Sequence, residues 1–209
     1  MSPTRDHPEN GRDSLPGADC PILRSLEAYW QSLRHARRIP ARNDIAPDQI
    51  DAALPYAFVL QRVAPGVARM RVAGQRIHDL LRMDARGMPV SILFAPGSRD
   101  ALSDLVETAF VRPAIIAADL IAPAQLFHPA LAGRIMLLPL RDDQGKTSRV
   151  LGALVTKPVT GNAPRRFDLA PGRTLRIDSL AIGLVSSQPS PQQKPDAIRP
   201  ALRLIVNNA

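Results

Sequence analysis

The chain has 209 residues, of which 45% are hydrophobic and only 4% aromatic, with one cysteine and a formal charge of +8. That suffices for one domain of ordinary size with tails, built on an aliphatic core. A single thiol excludes an intramolecular disulfide and a cysteine-based zinc site, and no stretch approaches the ~20 apolar residues that cross a bilayer.

Residues 1–20 mix Pro3, Pro8, Gly11, Pro16 and Gly17 with charges, the composition of a disordered tail. They hold no apolar run for a secretion signal, so a cytoplasmic setting is expected. Ile22, Leu26, Tyr29, Trp30 and Leu33 then recur at spacings of three and four, which predicts an amphipathic helix over about residues 21–38. Arg34, Arg37 and Arg38 complement the dipole at its end, and Pro40 stops it. A short helix is expected between Pro47, which suits a first turn, and Pro55. Residues 56–73 read as a hairpin turned at Pro65-Gly66.

A helix over 74–84 carries Ile77, Leu80 and Leu81, and Gly87-Met88-Pro89 breaks it from a short apolar segment at 90–94. Ser98 or Asp100 caps a further helix bearing Leu102, Leu105, Val106, Ala109 and Phe110, ended by Pro113. Strands are expected at 114–121, 125–128, 134–141 and 149–156, the last two joined by a turn at Asp142-Asp143-Gln144-Gly145. Pro139 inside a strand predicts an edge or a bulge. Residues 157–172 read as a loop, 175–185 as one more strand, 186–196 as a low-complexity linker, and 198–206 as a short apolar end. The layout is a tail at 1–20, a domain at 21–158, a loop with a further strand at 159–186 and a flexible tail at 187–209. Helix, hairpin, helices and then strands make an α+β arrangement, with the middle helices covering one face of an antiparallel sheet.

This order resembles a PAS domain, in which two strands, a helical segment and three strands form a five-stranded antiparallel sheet covered by helices. The stretch Val72-Ala-Gly74-Gln-Arg-Ile77-His-Asp-Leu80-Leu81, running on to Gly87-Met-Pro89, is similar to the PAS segment that leaves the second strand. Phe94-Ala-Pro96-Gly-Ser-Arg99, with Leu102 and Leu105, resembles the start of the long PAS helix. Tyr29-Trp30-Gln-Ser-Leu33-Arg34, Pro40-Ala-Arg42-Asn-Asp44-Ile-Ala-Pro47, Ile50 and Leu54-Pro55 together resemble the lead-in of the type-5 PAS family, a bacterial branch. The resemblance covers about residues 22–158 and leaves 159–209 outside. It implies a stand-alone sensory or regulatory module without a catalytic set. In many PAS proteins the helix before the sheet supports dimerisation, so a homodimer or a signalling partner protein is implied.

No G-x-S-x-G, P-loop, G-x-G-x-x-G or H-E-x-x-H motif is present, and Asp142-Asp143 is explained by turn chemistry. No catalytic residue, metal ligand or cofactor is therefore assigned. A haem in a PAS domain takes an axial side chain, and His78 is the candidate, against the plainer reading of a packed or surface histidine. Cys20 lies in the tail, which leaves no thiol for covalent flavin chemistry. Phe58, Leu60, Ile77, His78, Leu81, Ile92, Phe94, Leu105, Phe110, Leu137 and Leu154 are the candidate lining of a pocket for a small apolar ligand. The same side chains serve equally to fill a core, and few aromatic or polar groups are on hand to orient a ligand. Arg42 and Asp44 are expected to form an ion pair or a cap near the sheet, and Trp30 belongs to the same lead-in pattern. The stripe Ile22, Leu26, Tyr29, Trp30 and Leu33 suits either packing on the sheet or a dimer seam. The leading function is a non-enzymatic PAS regulator acting through a small ligand or protein contacts. The alternatives are a basic nucleic-acid-associated protein and an enzyme of unrecognised type. Against the first stand arginines scattered in no run longer than a pair, and no helix-turn-helix signal.

Overall fold

Near-continuous apolar runs between residues 114 and 156 build the centre of the molecule and are buried on both faces. The computed structural model describes residues 20–35, 38–125, 128–158, 164–170 and 175–180. Its strands are β1 (Ala57–Ala64), β2 (Val67–Ala73), β3 (Ala114–Ala122), β4 (Leu131–Arg141), β5 (Thr147–Thr156), β6 (Asp168–Leu169) and β7 (Leu175–Ser179). They form one antiparallel sheet in the order β2-β1-β5-β4-β3-β6, with β7 also pairing β3. The expected five strands are thus seven, because β6 and β7 are added to the outer edge of β3 by residues beyond 158. Of the strand expected at 125–128, Gln125 and His128 make an isolated bridge, and residues 126–127 lie outside those described.

The helices are α1 (Pro21–Ser32), α2 (Gln75–Leu81) and α3 (Arg99–Val111). α1 ends at Ser32 rather than near residue 38, so Arg38 lies beyond it, and Arg37 lies outside the described residues. The expected short helix before the hairpin is two separate 3-10 turns, Pro47–Ile50 and Leu54–Tyr56, each with a proline in its first turn. The apolar segment near 90–94 is likewise a 3-10 turn, Val90–Leu93. No helix among the described residues is long and apolar enough to cross a membrane. The linker at 186–196 and the apolar end at 198–206 lie outside the described residues.

Strand alternation sends successive side chains to opposite faces, and both faces of this sheet are covered. On the inner face, Phe58, Leu60, Ile116, Ala118, Leu137 and Leu154 meet α2, α3 and the 3-10 turn at Val90–Leu93. On the outer face, Ile115, Ala117, Met136, Leu138, Leu151 and Ala153 meet α1 and the segment that follows it. The middle helices cover one face, as expected, and the α1 stripe packs on the other. α1 supplies a second layer, with Leu23, Leu26 and Trp30 buried.

Two turns explain the hairpins. Gly66 has φ +67°, which an L side chain adopts at a cost, and it permits the β1–β2 reversal. Its N–H donates to Glu107 Oε2 at 2.8 Å and its carbonyl accepts from Ser103 Oγ at 3.0 Å, so α3 holds the turn. At the β4–β5 reversal Asp142 accepts from the amides of Gln144 and Lys146, at 3.0 and 2.9 Å, and from the Ser148 hydroxyl at 2.6 Å. Those donors, Ser148 foremost, hold its carboxyl below the ordinary range. Turn chemistry thus accounts for the acidic pair.

Candidate functional site

The sequence placed a ligand pocket between the sheet and α2–α3, and the structure brings its candidate lining together. Phe58, Leu60, Ile77, Leu81, Phe94, Leu105, Phe110, Leu137 and Leu154 belong to one continuous buried cluster, with half-buried Ile92 packed against it. Phe58 lies flat against β5 at Gly152, its register partner. A methyl at Gly152 overlaps the Phe58 ring, so the glycine is what admits the ring into the core. At the other end Phe167 is fully buried and touches Gly133. Its N–H donates to the Leu93 carbonyl and its own carbonyl accepts from Ala95, both at 2.9 Å.

Residues 164–170 thus form a strap that closes the inner face, where the sequence reading had a loop. Arg165 anchors it. Its amide donates to the Leu80 carbonyl at 2.8 Å, and its guanidinium reaches the carbonyls of Pro123 and Pro129 at 3.2 and 2.8 Å. Burial among carbonyls, with no carboxylate in those contacts, lowers its pKa. Phe167 and Arg165 were missed. The signal available was a lone aromatic in an otherwise polar stretch, directly after Arg165-Arg166.

His78 does not join this cluster. Its Nδ1 accepts from the Ala85 amide at 3.0 Å, which leaves the proton on Nε2, and Nε2 donates to the Ala73 carbonyl at 3.1 Å. Both ring nitrogens are engaged in tying the end of α2 to the end of β2. This histidine staples backbone and has no nitrogen free for an axial bond, so the candidate axial role is corrected. Among the described residues no group of three or more His, Cys, Asp or Glu is placed to hold a metal ion.

On the outer face the lead-in is fixed by polar contacts. Trp30 is fully buried, and its Nε1 donates to the Pro139 carbonyl at 3.0 Å. This also explains Pro139. β4 lies centrally in the sheet, but β3 pairs with it only from Leu137 to Leu131. Beyond that point β4 is locally an edge, completed by the lead-in: Arg141 N–H donates to the Pro40 carbonyl at 2.9 Å, and its Nε to the Ile39 carbonyl at 2.6 Å. A residue without an N–H is tolerated there. Asp44 is a cap, its Oδ2 accepting from the Ala41 amide at 2.7 Å, and no ion pair joins it to Arg42 among the described residues. Tyr29 Oη accepts from the Ala46 amide at 2.8 Å. On the same face Asp119 stands opposite Arg134, and their buried side chains bridge at 2.9 Å. Of the two roles open to the α1 stripe, packing on the sheet is the one these contacts support. Leu26 and Trp30 are buried against the chain's own sheet, and Ile22, Tyr29 and Leu33 are half-buried beside them.

α1 does not reach the β1–β2 end of the outer face. There an apolar groove of about 230 Å³ remains, floored by Ala57, Val59 and Val72 and walled by Ile45, Ile50 and Leu54 of the lead-in. Val72 is 49% and Leu54 38% exposed. Arg42 is the one charged residue lining it, half-buried, and its side chain has no hydrogen-bond or ion-pair partner among the described residues.

An antiparallel sheet with α2, α3 and the intervening 3-10 turn on its inner face is the architecture of a PAS-type sensory fold. The family model for the PAS domain matches residues 19–155. The chain belongs to the PAS domain family, in its type-5 branch. Among solved structures, an RNA-binding light-oxygen-voltage receptor is similar at 15% identity and a TM-score of 0.36, over 73% of this chain and 36% of that one. The chain thus spans little more than a third of that receptor. No curated protein matches the sequence.

Proposed function

We propose that this chain is a non-enzymatic PAS regulatory module that acts through protein–protein contacts, with the space between sheet and helices filled by its own side chains. The observation that carries this reading is the closure of the inner face: Phe58 seated on Gly152, Phe167 brought in by the strap, and His78 bonded at both nitrogens. A module of this kind responds by a shift between surface states rather than by chemistry on a bound cofactor. The α1 stripe is covered by the sheet, so the partner surface lies elsewhere. Val63 and Val67, exposed on the β1–β2 hairpin, are proposed as apolar contacts for a second copy or a signalling protein.

Native mass spectrometry of the purified protein, set against its denatured mass, tests the reading. A mass with no haem or flavin supports it, and a non-covalent mass of either class overturns it. The same spectrum reads whether the partner is a second copy.

A further inference from the structure

The two faces of the sheet offer a ligand very different terms. The inner face is closed, whereas the groove beside the β1–β2 hairpin is open, apolar and bordered by Arg42. From this juxtaposition we infer that the outer groove is a binding site for a small aliphatic carboxylate, its chain along Val59, Val72 and Leu54 and its carboxylate on the Arg42 guanidinium. The inference rests on the reading that the inner core is filled and adds a ligand to the module proposed above.

Three features set the ligand class. The groove's volume of about 230 Å³ lies below the ~300–1,000 Å³ of pockets for drug-sized molecules, which limits the ligand to a small molecule. Floor and wall are aliphatic, so the body of the ligand is hydrocarbon and gains by leaving water. Arg42 sets the sign of the head group. Half-buried Arg42, with no side-chain partner among the described residues, offers a forked donor suited to a carboxylate. Asp44, two residues on, makes no ion pair with it among the described residues, and its Oδ2 accepts from the Ala41 amide at 2.7 Å.

The position also couples the ligand to the rest of the fold. Arg42, Ile45 and Ile50 lie on the lead-in, whereas Val59 and Val72 lie on the hairpin that carries Val63 and Val67. A chain bound between them bridges the lead-in and the proposed partner surface.

The test uses the full chain with isotope-labelled methyl groups, decanoate below its micellar range as probe, and decanol as the uncharged control. Decanoate is expected to shift the methyls of Val59, Val72 and Leu54. Arg42→Gln is expected to weaken decanoate at least about tenfold while leaving decanol unchanged. Val72→Trp, at a half-exposed position that tolerates bulk, is expected to abolish both. Equal decanoate binding by wild type and Arg42→Gln, or absence of groove shifts, overturns the site. Decanoate shifts confined to Leu60, Leu105 and Leu154 overturn both the site and the filled-core reading. Absent groove shifts with an unperturbed inner core overturn the site alone.

Discussion

The inner and outer faces of this sheet are built from the same aliphatic residue types and end in opposite conditions. The inner face is closed by shape: Phe58 occupies the space that Gly152 leaves, and Phe167 is delivered by a strap from beyond the domain core. The outer face is closed by polar anchors, Trp30 on Pro139 and Asp44 on Ala41, and only where α1 and the lead-in reach. Close packing leaves no room for a ligand, whereas a cover fixed at discrete points leaves uncovered surface between them. The proposed outer groove thus lies on the face opposite the pocket that the sequence places between the sheet and the middle helices.

The largest test of the comparison removes the inner plug. Phe58→Ala is expected to cost about 3–5 kcal/mol in chemical denaturation, against less than about 1 kcal/mol for Val72→Ala at the half-exposed groove. Similar losses at the two positions contradict the contrast. Gly152→Ala drives a methyl into the Phe58 ring and is expected to cost about 1–3 kcal/mol. Pairing it with Phe58→Leu is expected to recover part of that loss, a non-additivity read in a double-mutant cycle.

On the outer face, Trp30→Phe keeps most of the apolar bulk but leaves the buried Pro139 carbonyl without its donor. A loss of about 1–2 kcal/mol is expected, with the domain still folded by circular dichroism. The smallest effect concerns the hold of α3 on the hairpin. The Arg62 guanidinium first, and the Gly66 amide second, hold the Glu107 carboxyl below its ordinary value of 4.5. A depressed carboxylate stabilises the fold above its unfolded value, and that contribution disappears as the pH falls through the folded one. Glu107→Gln is therefore expected to flatten the acid side of the stability profile below about pH 4.5 and to lower stability slightly near neutrality. An unchanged acid limb removes this link.

Much of the fold was legible because its signals are local. The three-and-four spacing from Ile22 to Leu33 marked α1, apolar runs with one alternating stretch at 67–73 marked the strands, and Pro65-Gly66 and Asp142–Gly145 marked the hairpins. What was not legible depends on partners distant in sequence. The α1 stripe reads alike whether it meets a sheet or a second chain, and only the Trp30–Pro139 contact decides. The edge at Pro139 is finished by residues about a hundred positions earlier. β6 is too short to carry a pattern, and β3 recruits it by pairing, whereas β7 falls inside the strand expected at 175–185. His78 was read as a candidate ligand because its partners are backbone groups, which no side-chain pattern records. The groove carries no local sequence signal because its wall comes from the lead-in and its floor from the β1–β2 hairpin.

Xenon enters apolar cavities without needing a charge or a hydrogen bond, so xenon-pressure methyl NMR compares the two faces directly. The account predicts progressive shifts for Val59, Val72 and Leu54, with Leu60, Leu105 and Leu154 unmoved. Shifts at the second set, with the first unmoved, contradict a filled inner core and an open outer groove.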